Sequence, residues 1–435
     1  MARRTSYVDP DRLRDRLISL VRIPSVTGQE DGAVAQVANW LQELDVEVDY
    51  WNDGMAALLR DKRYPGHEVE RAWAPVAVGV VRGEQPGPTI LLTGHIDVVP
   101  PGDYSRWRDE PFSGVMRGDR IHGCGTSDMK SGLMSAMAAF EAFAEGGRNF
   151  PGRVVFAAVP AEEDSGLGTL AAIRAGWKAD ACIVPEPTMG GDGVPELVIA
   201  HAGAVSLTVS VPGKSAHASK RLRGESALDH FITIYEAMRA DEKRVNESEE
   251  HPLMQIHGLP YATNVGVIRG GLWSSSVMDN LEAQVRIGVR LDETIEEAEA
   301  RFRNAIMEHI KDDPWLSENP PVITRLASGF GSAETRRDHP LVDALAESAE
   351  EEFRRDTSIS AAPYGCDMSG WVRLADTPTV IYGPGEIELA HAPNESVSMD
   401  ATYKVARALV KTTERLLETP VEDMKLKPAK ETDSA

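Results

Sequence analysis

The stretch PTILLTGHIDVVPPGD, from Pro88 to Asp103, predicts a buried strand that ends in two polar side chains, His95 and Asp97. Its first part is rich in aliphatic residues and is bounded by Pro and Gly, which is typical of a central strand. Residues two positions apart in a strand face the same way, so His95 and Asp97 can point to one side just beyond the carboxyl end, where α/β sheets bind ligands. On this fragment alone, a histidine hydrogen-bonded to a turn carboxylate is the better interpretation.

The chain around this strand alternates short apolar runs with helical patterns. A helix is predicted from Pro10, with Asp9 as its cap, and SGLMSAMAAFEAFAE (131–145) is predicted to be a helix packed on a sheet. The other predicted strands of this part are VEVDYW (46–51), APVAVGVV (74–81), GRVVFAAVP (152–160), DACIVPE (180–186) and TPTVIYGPG (377–385). Nearly all-apolar strands separated by helices predict an α/β fold with a mostly parallel sheet covered by helices.

The pattern changes in the middle of the chain. AVSLTVSVPG (204–213) alternates apolar and polar residues, which is typical of a half-exposed antiparallel strand. The order strand–helix–strand–strand–helix follows as far as Trp315. We therefore predict an inserted α+β domain at 204–316, within a larger α/β domain formed by 1–203 and 317–420, and a polar tail at 421–435.

Length and charge restrict the possible partners. A chain of 435 residues is too long for one compact core and predicts two domains. The formal net charge of −22 argues against nucleic acid and anionic membranes as partners. The first residues contain no apolar signal segment, and no apolar run approaches the roughly 20 residues that span a bilayer. Three cysteines without a CxxC pair suit a reducing cytoplasm.

Acidic residues and one more histidine follow other predicted strands or precede a helix. Each alone is better interpreted as structural: a helix cap, a solvated acidic pair or a loop histidine. Together, the predicted strand ends and loops present one mixed set of side chains: His95, Asp97, Asp128, Glu162, Glu163, Glu186 and His391. Histidine and carboxylate ligands without a thiolate suit Zn²⁺, Mn²⁺ or Co²⁺, and two ions bridged by one carboxylate and a water would use this set well.

The motifs GHIDVVP, GCGTSDMKSG, AEEDSG, PEP and GPG…AHAPNE occur in this order along nearly the whole chain. As a set they resemble the dinuclear zinc amidohydrolase and metallopeptidase family that contains acetylornithine deacetylase, succinyl-diaminopimelate desuccinylase, aminoacylase and glutamate carboxypeptidase. The resemblance implies that the α/β domain is catalytic and that the insert is a lid and dimerisation domain. It also implies a metal-dependent hydrolase of C–N bonds that acts on a small substrate carrying a carboxylate.

The resemblance assigns the metal ligands. His95 would bind one metal and His391 the other, Asp128 would bridge them, and Glu163 and Glu186 would each complete one ligand shell. Two zinc ions per chain are implied, with Mn²⁺ or Co²⁺ as alternatives.

The resemblance also assigns proton transfer. Glu162 would be the general base that takes a proton from the attacking water and passes it to the leaving amine. Asp97 would hold the ring of His95 in the tautomer that binds metal.

Further residues are implied to contact substrate. His217 in GKSAHAS would reach the site of a partner protomer in a homodimer and stabilise the oxyanion, although the sequence alone favours an exposed loop histidine. Asn264, Arg286 and Gly385 would bind substrate, with Arg286 pairing with a carboxylate. A surface ion pair is an equally good interpretation of Arg286.

Some turns depart from the family pattern and leave the substrate open. Cys124 stands where relatives have Arg or Pro, and is interpreted as a packing residue rather than a third, soft metal donor; GCDMS around Asp367 replaces a Gly-Gly-Thr-Asp-like turn. Amide cleavage of an N-acyl amino acid is the preferred function. The alternatives are removal of the amino group of an aromatic amino acid such as nitroanthranilate, and a non-catalytic small-molecule binding protein, against which the presence of Glu162 argues.

Overall fold

A computed structural model describes residues 7–425, apart from the side chains of residues 327 and 328. These residues form two compact units. Unit 1 comprises the chain up to Ile199, Glu334–Ser360 and the chain from Cys366 onward; unit 2 comprises Ala200–Ala333 and Ala361–Gly365. Unit 2 therefore extends past the 204–316 insert, because a strand that follows residue 316 pairs with the first strand of this unit.

The helices follow the apolar periodicity of the sequence. They are α1 (Pro10–Val21), α2 (Asp31–Gln42), α3 (Met55–Leu58), α4 (Ser131–Glu145), α5 (Leu167–Arg174), α6 (Ala227–Glu247), α7 (Ile295–Ile310), α8 (Pro340–Phe353), α9 (Met368–Ala375) and α10 (Met399–Leu417). The predicted start of α1 is confirmed: the side chain of Asp9 accepts hydrogen bonds from the N–H groups of Asp11 and Arg12, and Pro10 occupies the first turn, where its missing N–H costs nothing.

The strands form three sheets. They are β1 (Glu47–Gly54), β2 (Trp73–Arg82), β3 (Gln85–His95), β4 (Val115–Arg117), β5 (Arg120–His122), β6 (Pro151–Val159), β7 (Ala181–Val184), β8 (Leu197–His201), β9 (Gly203–Pro212), β10 (Thr263–Gly270), β11 (Asn280–Val289), β12 (Val322–Phe330), β13 (Ala333–Glu334), β14 (Ile359–Ala362), β15 (Thr379–Ile381) and β16 (Ser396–Ser398). The large sheet has the order β1-β2-β6-β3-β7-β15-β8-β13, and β14 pairs with β8.

The centre of the large sheet is parallel, as predicted. Strands β6, β3, β7 and β15 run parallel to one another, whereas β1, β2 and β8 pair antiparallel on the two flanks. In the register of β3 and β6, His95 lies opposite Val159. The parallel register brings the carboxyl ends of β3 and β6, and the loops that follow them, to the same edge.

Helices cover the large sheet on both faces, because its central strands are apolar at successive positions. Leu91 and Val155 belong to a buried cluster with residues of α5 and α9, such as Leu170 and Trp371. On the other face α4 approaches the strands so closely that a Cβ at Gly79 would lie 2.9 Å from the ring of Phe140. The predicted α/β class is confirmed.

Unit 2 is an antiparallel sheet with two helices. Its strand order is β10-β11-β9-β12, and the apolar residues of α6 and α7 pack against the buried residues of the strands in one cluster. Along β11, Val285 and Ile287 are buried and Arg286 between them is exposed. The inserted α+β fold is thus present, with one covered and one exposed sheet face.

Two features were not expected from the sequence. A three-stranded sheet, β16-β5-β4, places Ser396 opposite His122. The predicted polar tail begins with an ordered turn, because Met424 is buried and its carbonyl accepts a hydrogen bond of 2.8 Å from Nε2 of His339. The rest of that tail, from residue 426, lies outside the described residues. Among the described residues we find no helix that is both long enough and apolar enough to span a membrane.

Candidate active site

Side chains from several segments of unit 1 meet at the carboxyl ends of the parallel strands. His95 is the last residue of β3, Glu162 and Glu163 follow β6, and Glu186 follows β7. Asp128 lies in the kinked turn that leads into α4, and its own backbone is extended rather than helical. His391 lies in the loop after β15, in a left-handed backbone conformation with φ of +57°.

Two groups of side chains could each hold a metal ion, and they share Asp128. We call the group His95, Asp128 and Glu186 site 1, and the group Asp128, Glu163 and His391 site 2. In site 1, Nε2 of His95 lies 3.1 Å from Oδ1 of Asp128 and 3.6 Å from Oε2 of Glu186. In site 2, Nε2 of His391 lies 3.3 Å from Oδ2 of Asp128 and 3.0 Å from Oε2 of Glu163. Each oxygen of Asp128 therefore faces a different site.

The donor set is short of positive charge. The buried oxygens Oε1 of Glu163 and Oε1 of Glu186 have no hydrogen-bond partner among the described residues. Burial raises the pKa of Glu186 to about 8, and burial together with the charge of Asp128 raises the pKa of Glu163. Buried carboxylates in such a cluster require protons or cations. Two divalent cations fit these ligands, which have the histidine and carboxylate chemistry of zinc and manganese sites.

The two histidines are oriented to present Nε2. Nδ1 of His95 lies 3.0 Å from the main-chain carbonyl oxygen of Asp97. Because a carbonyl oxygen only accepts hydrogen bonds, Nδ1 carries a proton, and Nε2 is the nitrogen left to bind a metal. The charge of Glu186 and the hydrogen bond to Asp128 outweigh burial and raise the pKa of His95 well above its ordinary value, so Nε2 must lose its own proton when a metal binds. Hydrogen bonds to Asp128 and Glu163 raise the pKa of His391 to about 10, so this ring must lose a proton when a metal binds.

The carboxylate of Asp97 holds the loop of the predicted base. It accepts hydrogen bonds of 3.1 Å from the N–H groups of both Glu162 and Glu163, and one of 3.0 Å from the hydroxyl of Thr27. Its Oδ1 lies 3.6 Å from Nδ1 of His95, which is beyond a normal hydrogen bond. The main chain of Asp97, rather than its carboxylate, thus makes the close contact with the histidine, a difference from the predicted role.

Glu162 combines burial with a perturbed acidity. The side chain of Glu162 is buried. Burial raises its pKa well above the ordinary value, and the charges of Glu186 and Asp367 raise it further. A raised pKa makes a carboxylate a stronger proton acceptor, which is what a general base in this chemistry must be.

Two buried acids near these ligands were missed by the sequence analysis. Glu395 is 3% exposed and accepts hydrogen bonds from main-chain N–H groups of the turn that carries Asp128. Asp367 is buried, neither of its oxygens has a hydrogen-bond partner within residues 7–425, and burial raises its pKa to about 7. The available signals were the position of Glu395 four residues after His391 and the altered turn around Asp367.

The predicted substrate residues of unit 2 do not all lie together. Asn264 and Arg286 are direct neighbours on β10 and β11 and are both exposed. His217 lies on a separate exposed loop, where it caps a short helical turn and its Nδ1 lies 2.9 Å from the hydroxyl of Ser219.

Gly385 and Cys124 have packing roles in unit 1. A Cβ at Gly385 would lie 2.3 Å from the carbonyl oxygen of Ser127, so only glycine allows this approach to the turn before Asp128. Cys124 is buried, its thiol donates to the carbonyl of Val99 at 3.6 Å, and burial raises its pKa to about 12. Cys124 is absent from both groups of candidate ligands among the described residues.

Comparisons with known proteins identify the family. A family model described as peptidase family M20/M25/M40 matches residues 91–415. The chain belongs to this family. The predicted family resemblance is confirmed, and the chain is a hydrolase, since its M20 relatives carry the names of hydrolases.

Similar members of the M20 family cover most of the chain. A Bacillus subtilis protein named N-formyl-4-amino-5-aminomethyl-2-methylpyrimidine deformylase is 25% identical over 87% of this chain and 88% of its own length. An acetylornithine deacetylase of Aliivibrio salmonicida is 27% identical over 91% of this chain and 96% of its own. The crystal structure of the M20 family metallo-carboxypeptidase Sso-CP2 from Sulfolobus solfataricus superimposes with a TM-score of 0.73 at 16% identity, over 94% of this chain and 99% of that one. At this identity, the similarity to the Sso-CP2 structure shows a shared fold.

Proposed function

We propose that this M20 hydrolase cleaves the bond between an acyl group and an amine in an N-acyl amino acid or a related small amide, with the help of bound metal. The observation that carries the proposal is the pair of metal-ligand groups that share Asp128, next to the buried acid Glu162. Relatives named deformylase and deacetylase act on acyl–nitrogen bonds by name, which supports this choice of bond.

The ligands suit two divalent cations. His95 and Glu186 would hold one ion, His391 and Glu163 the other, and Asp128 would contact both. Two bound cations would lower the pKa of a bound water molecule and polarise the carbonyl group of the substrate. Zinc is our first choice because it favours histidine and carboxylate ligands at low coordination number, and Mn²⁺ or Co²⁺ would suit the same donors.

The protein itself supplies the proton transfers. Glu162 takes the proton of the attacking water and returns it to the leaving nitrogen, so that the amine departs without a high-energy anion. Asp97 keeps Glu162 in place, because its carboxylate accepts hydrogen bonds from the main-chain N–H groups of Glu162 and Glu163. Rigid support of this kind is what allows a base to act in one geometry.

The substrate is proposed to carry a carboxylate. Asn264 and Arg286 lie side by side on the exposed face of the unit 2 sheet and would bind it. A guanidinium group forms two parallel hydrogen bonds with a carboxylate, which favours Arg286 for this contact.

We further propose a homodimer through unit 2. Strand β10 lies at one edge of its sheet, and an edge strand can pair with a strand of a second copy. Large apolar side chains are exposed on this edge and on the neighbouring α6: Ile268 is 53%, Ile232 51% and Leu228 43% exposed. In the dimer, the exposed His217 would donate a hydrogen bond to the oxyanion in the site of the partner.

A reducing compartment, the cytoplasm, is the proposed location. Cys124, Cys182 and Cys366 are all buried and free. Oxidising compartments favour disulfides in secreted chains, and this chain has no such bond among its described residues.

Product mass spectrometry tests the proposed reaction. Metal-free protein would be reloaded with Zn²⁺ or Mn²⁺ and incubated with N-acyl amino acids, dipeptides and aromatic amino acids, with and without a chelator. The expected result is a carboxylic acid and a free amine in equal amounts, formed only with metal. The matched control is Glu162→Gln, which keeps the size of the side chain and should bind metal without turnover.

The other outcomes are equally specific. Ammonia together with a hydroxylated ring would move the reaction to the aryl C–N bond of an aromatic amino acid. Turnover by Glu162→Gln at the normal rate would remove Glu162 from the mechanism, and full activity in the presence of chelator would remove the metals.

A further inference from the structure

We infer that Glu395 is a positioning residue that assembles metal site 2 before any metal arrives, by joining the loop of His391 to the turn of Asp128. The inference rests on the proposed metal dependence and adds a residue that ligates no metal. Glu395 acts in this role as a buried carboxylate that accepts hydrogen bonds from main-chain N–H groups.

The contacts of Glu395 converge on one turn. Its Oε2 accepts a hydrogen bond of 2.7 Å from N–H of Gly125, and its Oε1 accepts from the N–H groups of Ser127 at 2.6 Å and Asp128 at 3.0 Å. The main-chain carbonyl of Glu395 accepts a fourth hydrogen bond, of 3.0 Å, from N–H of Gly123. Successive main-chain N–H groups that point inward form a concave anion-binding site.

These contacts tie together segments that are far apart in the sequence. The hydrogen bonds of Glu395 span 267 to 270 positions. At the other end, Glu395 follows His391 by four residues and is followed by β16, which pairs with β5. The Glu395 carboxylate thus fixes a ligand of site 2, Asp128, against the loop that carries another, His391.

Site 1 is held differently. His95 ends β3, and Glu186 follows β7, which pairs directly with β3 in the central sheet. Within residues 7–425, Asp128 is the one member of site 1 to which Glu395 is hydrogen-bonded. Loss of the Glu395 carboxylate should therefore weaken site 2 much more than site 1.

A carboxylate is required for geometric reasons. Glutamate offers two acceptor oxygens to three N–H donors. In Glu395→Gln, the side-chain NH₂ group would replace one of these oxygens. It would then face either N–H of Gly125 or the N–H groups of Ser127 and Asp128, and two donors cannot form a hydrogen bond with each other. An unpaired or opposed N–H in a buried position is costly. The turn is then expected to move away from its present place, and Asp128 with it.

Zinc titration of metal-free protein tests the inference. Wild-type protein, Glu395→Gln and Glu395→Asp would be titrated with Zn²⁺ against a competing chelator, and bound zinc counted after dialysis. The matched control is Glu141→Gln, because Glu141 of α4 is also buried but forms its ion pairs with Arg16 and Arg12 of α1. Folding of each variant would be checked by circular dichroism and cooperative melting.

The expected result is selective. Wild type and Glu141→Gln bind two ions, whereas Glu395→Gln keeps one tight ion and binds the second at least about 10-fold more weakly, the effect usual for lost support of a metal ligand. Glu395→Asp retains the charge and recovers part of the second affinity. In metal-free Glu395→Gln, hydrogen exchange should speed up at the amides of Gly125, Ser127 and Asp128.

The following outcomes would overturn the inference. Glu395→Gln with both affinities unchanged removes the positioning role, and equal weakening of both sites assigns Glu395 to general structure. If Glu395→Gln fails to fold, Glu395→Asp takes its place. Equal loss of both ions in folded Glu395→Asp would also assign Glu395 to general structure. Wild-type protein that binds fewer than two ions would instead contradict the proposed function, and this inference with it.

Discussion

Nδ1 of His95 lies 3.0 Å from the main-chain carbonyl of Asp97 and 3.6 Å from its carboxylate. The backbone therefore sets the tautomer of the histidine. The carboxylate is left to bind the N–H groups of Glu162 and Glu163. One residue thus supports a proposed metal ligand, His95, through its main chain and the proposed base, Glu162, through its side chain.

Replacing Asp97 by Asn should reduce turnover more than metal binding. The amide NH₂ would oppose the N–H of Glu162 or Glu163 and displace that loop, whereas the main-chain contact with His95 would persist. We expect kcat to fall by about 10- to 100-fold, the usual cost of a lost supporting contact, with zinc content close to two per chain. Steady-state kinetics and metal analysis of the same sample decide this. Complete loss of zinc in the variant would show that the carboxylate also holds His95.

The stability of the metal-free protein should fall as the pH rises from 4.5 toward 8. Burial raises the folded-state pKa of Glu186 to about 8 from 4.5, and hydrogen bonds to Asp128 and Glu163 raise that of His391 to about 10 from 6.5. Over this range the folded chain binds more protons than the unfolded chain, so the free energy of unfolding decreases with pH. The Glu186 contribution is lost between 4.5 and 8, and the His391 contribution between 6.5 and 10.

Chemical unfolding at several pH values, with chelator or with zinc, measures this slope. Bound zinc would replace the protons on these ligands, so protons should be released when the metal binds. The free energy of unfolding of the zinc-loaded protein should then no longer decrease as the pH rises. Equal slopes with and without zinc would contradict the assignment of these residues as ligands.

Replacing His217 by Ala should lower kcat about 100- to 1000-fold, the usual cost of a lost oxyanion donor, with little change in zinc content. If His217 acts in the partner's site, mixing this variant with Glu162→Gln should restore activity, because the mixed dimer contains one site with both residues. Each variant alone is the control. No recovery after verified subunit exchange would place His217 outside the partner's site.

Gly132 in the first turn of α4 should tolerate no larger residue. A Cβ there would lie 1.7 Å from the carbonyl oxygen of Pro185, next to Glu186. Gly132→Ala must push the helix away from the strand end, and overpacking of this kind costs about 1–3 kcal/mol. We expect a lower Tm and weaker zinc binding at site 1. Gly191→Ala is the control, since a Cβ at Gly191 meets no atom within 4 Å; equal Tm values for the two variants would contradict the argument.

The proposed homodimer should depend on one edge of the unit 2 sheet. Ile268→Lys places a charge on β10 and is expected to shift the protein to a monomer in sedimentation velocity. Val322→Lys is the matched control, because Val322 is also an exposed apolar residue, at 61%, on the opposite edge strand β12. A dimer that survives Ile268→Lys but is lost in Val322→Lys would assign the interface to the other edge.

Much of this site follows from local pattern. Apolar runs identify β3, β6 and β7, and parallel neighbours in one sheet share an edge, so the sequence alone predicts that His95, Glu163 and Glu186 lie together. The α+β insert was also predictable, because its strands alternate apolar and exposed residues with a period of two. These signals are local: they depend on residues a few positions apart.

The remaining features depend on tertiary contacts. The hydrogen bonds of Glu395 reach residues about 270 positions away, and the contact between His95 and the carbonyl of Asp97 involves a main-chain atom that every residue type carries. The antiparallel flanks and the sheet of β4, β5 and β16 involve short or ordinary strands with no distinctive pattern. Side-chain periodicity reports which face of an element is buried, but not which distant main-chain groups will meet a buried charge; only the folded chain determines those partners.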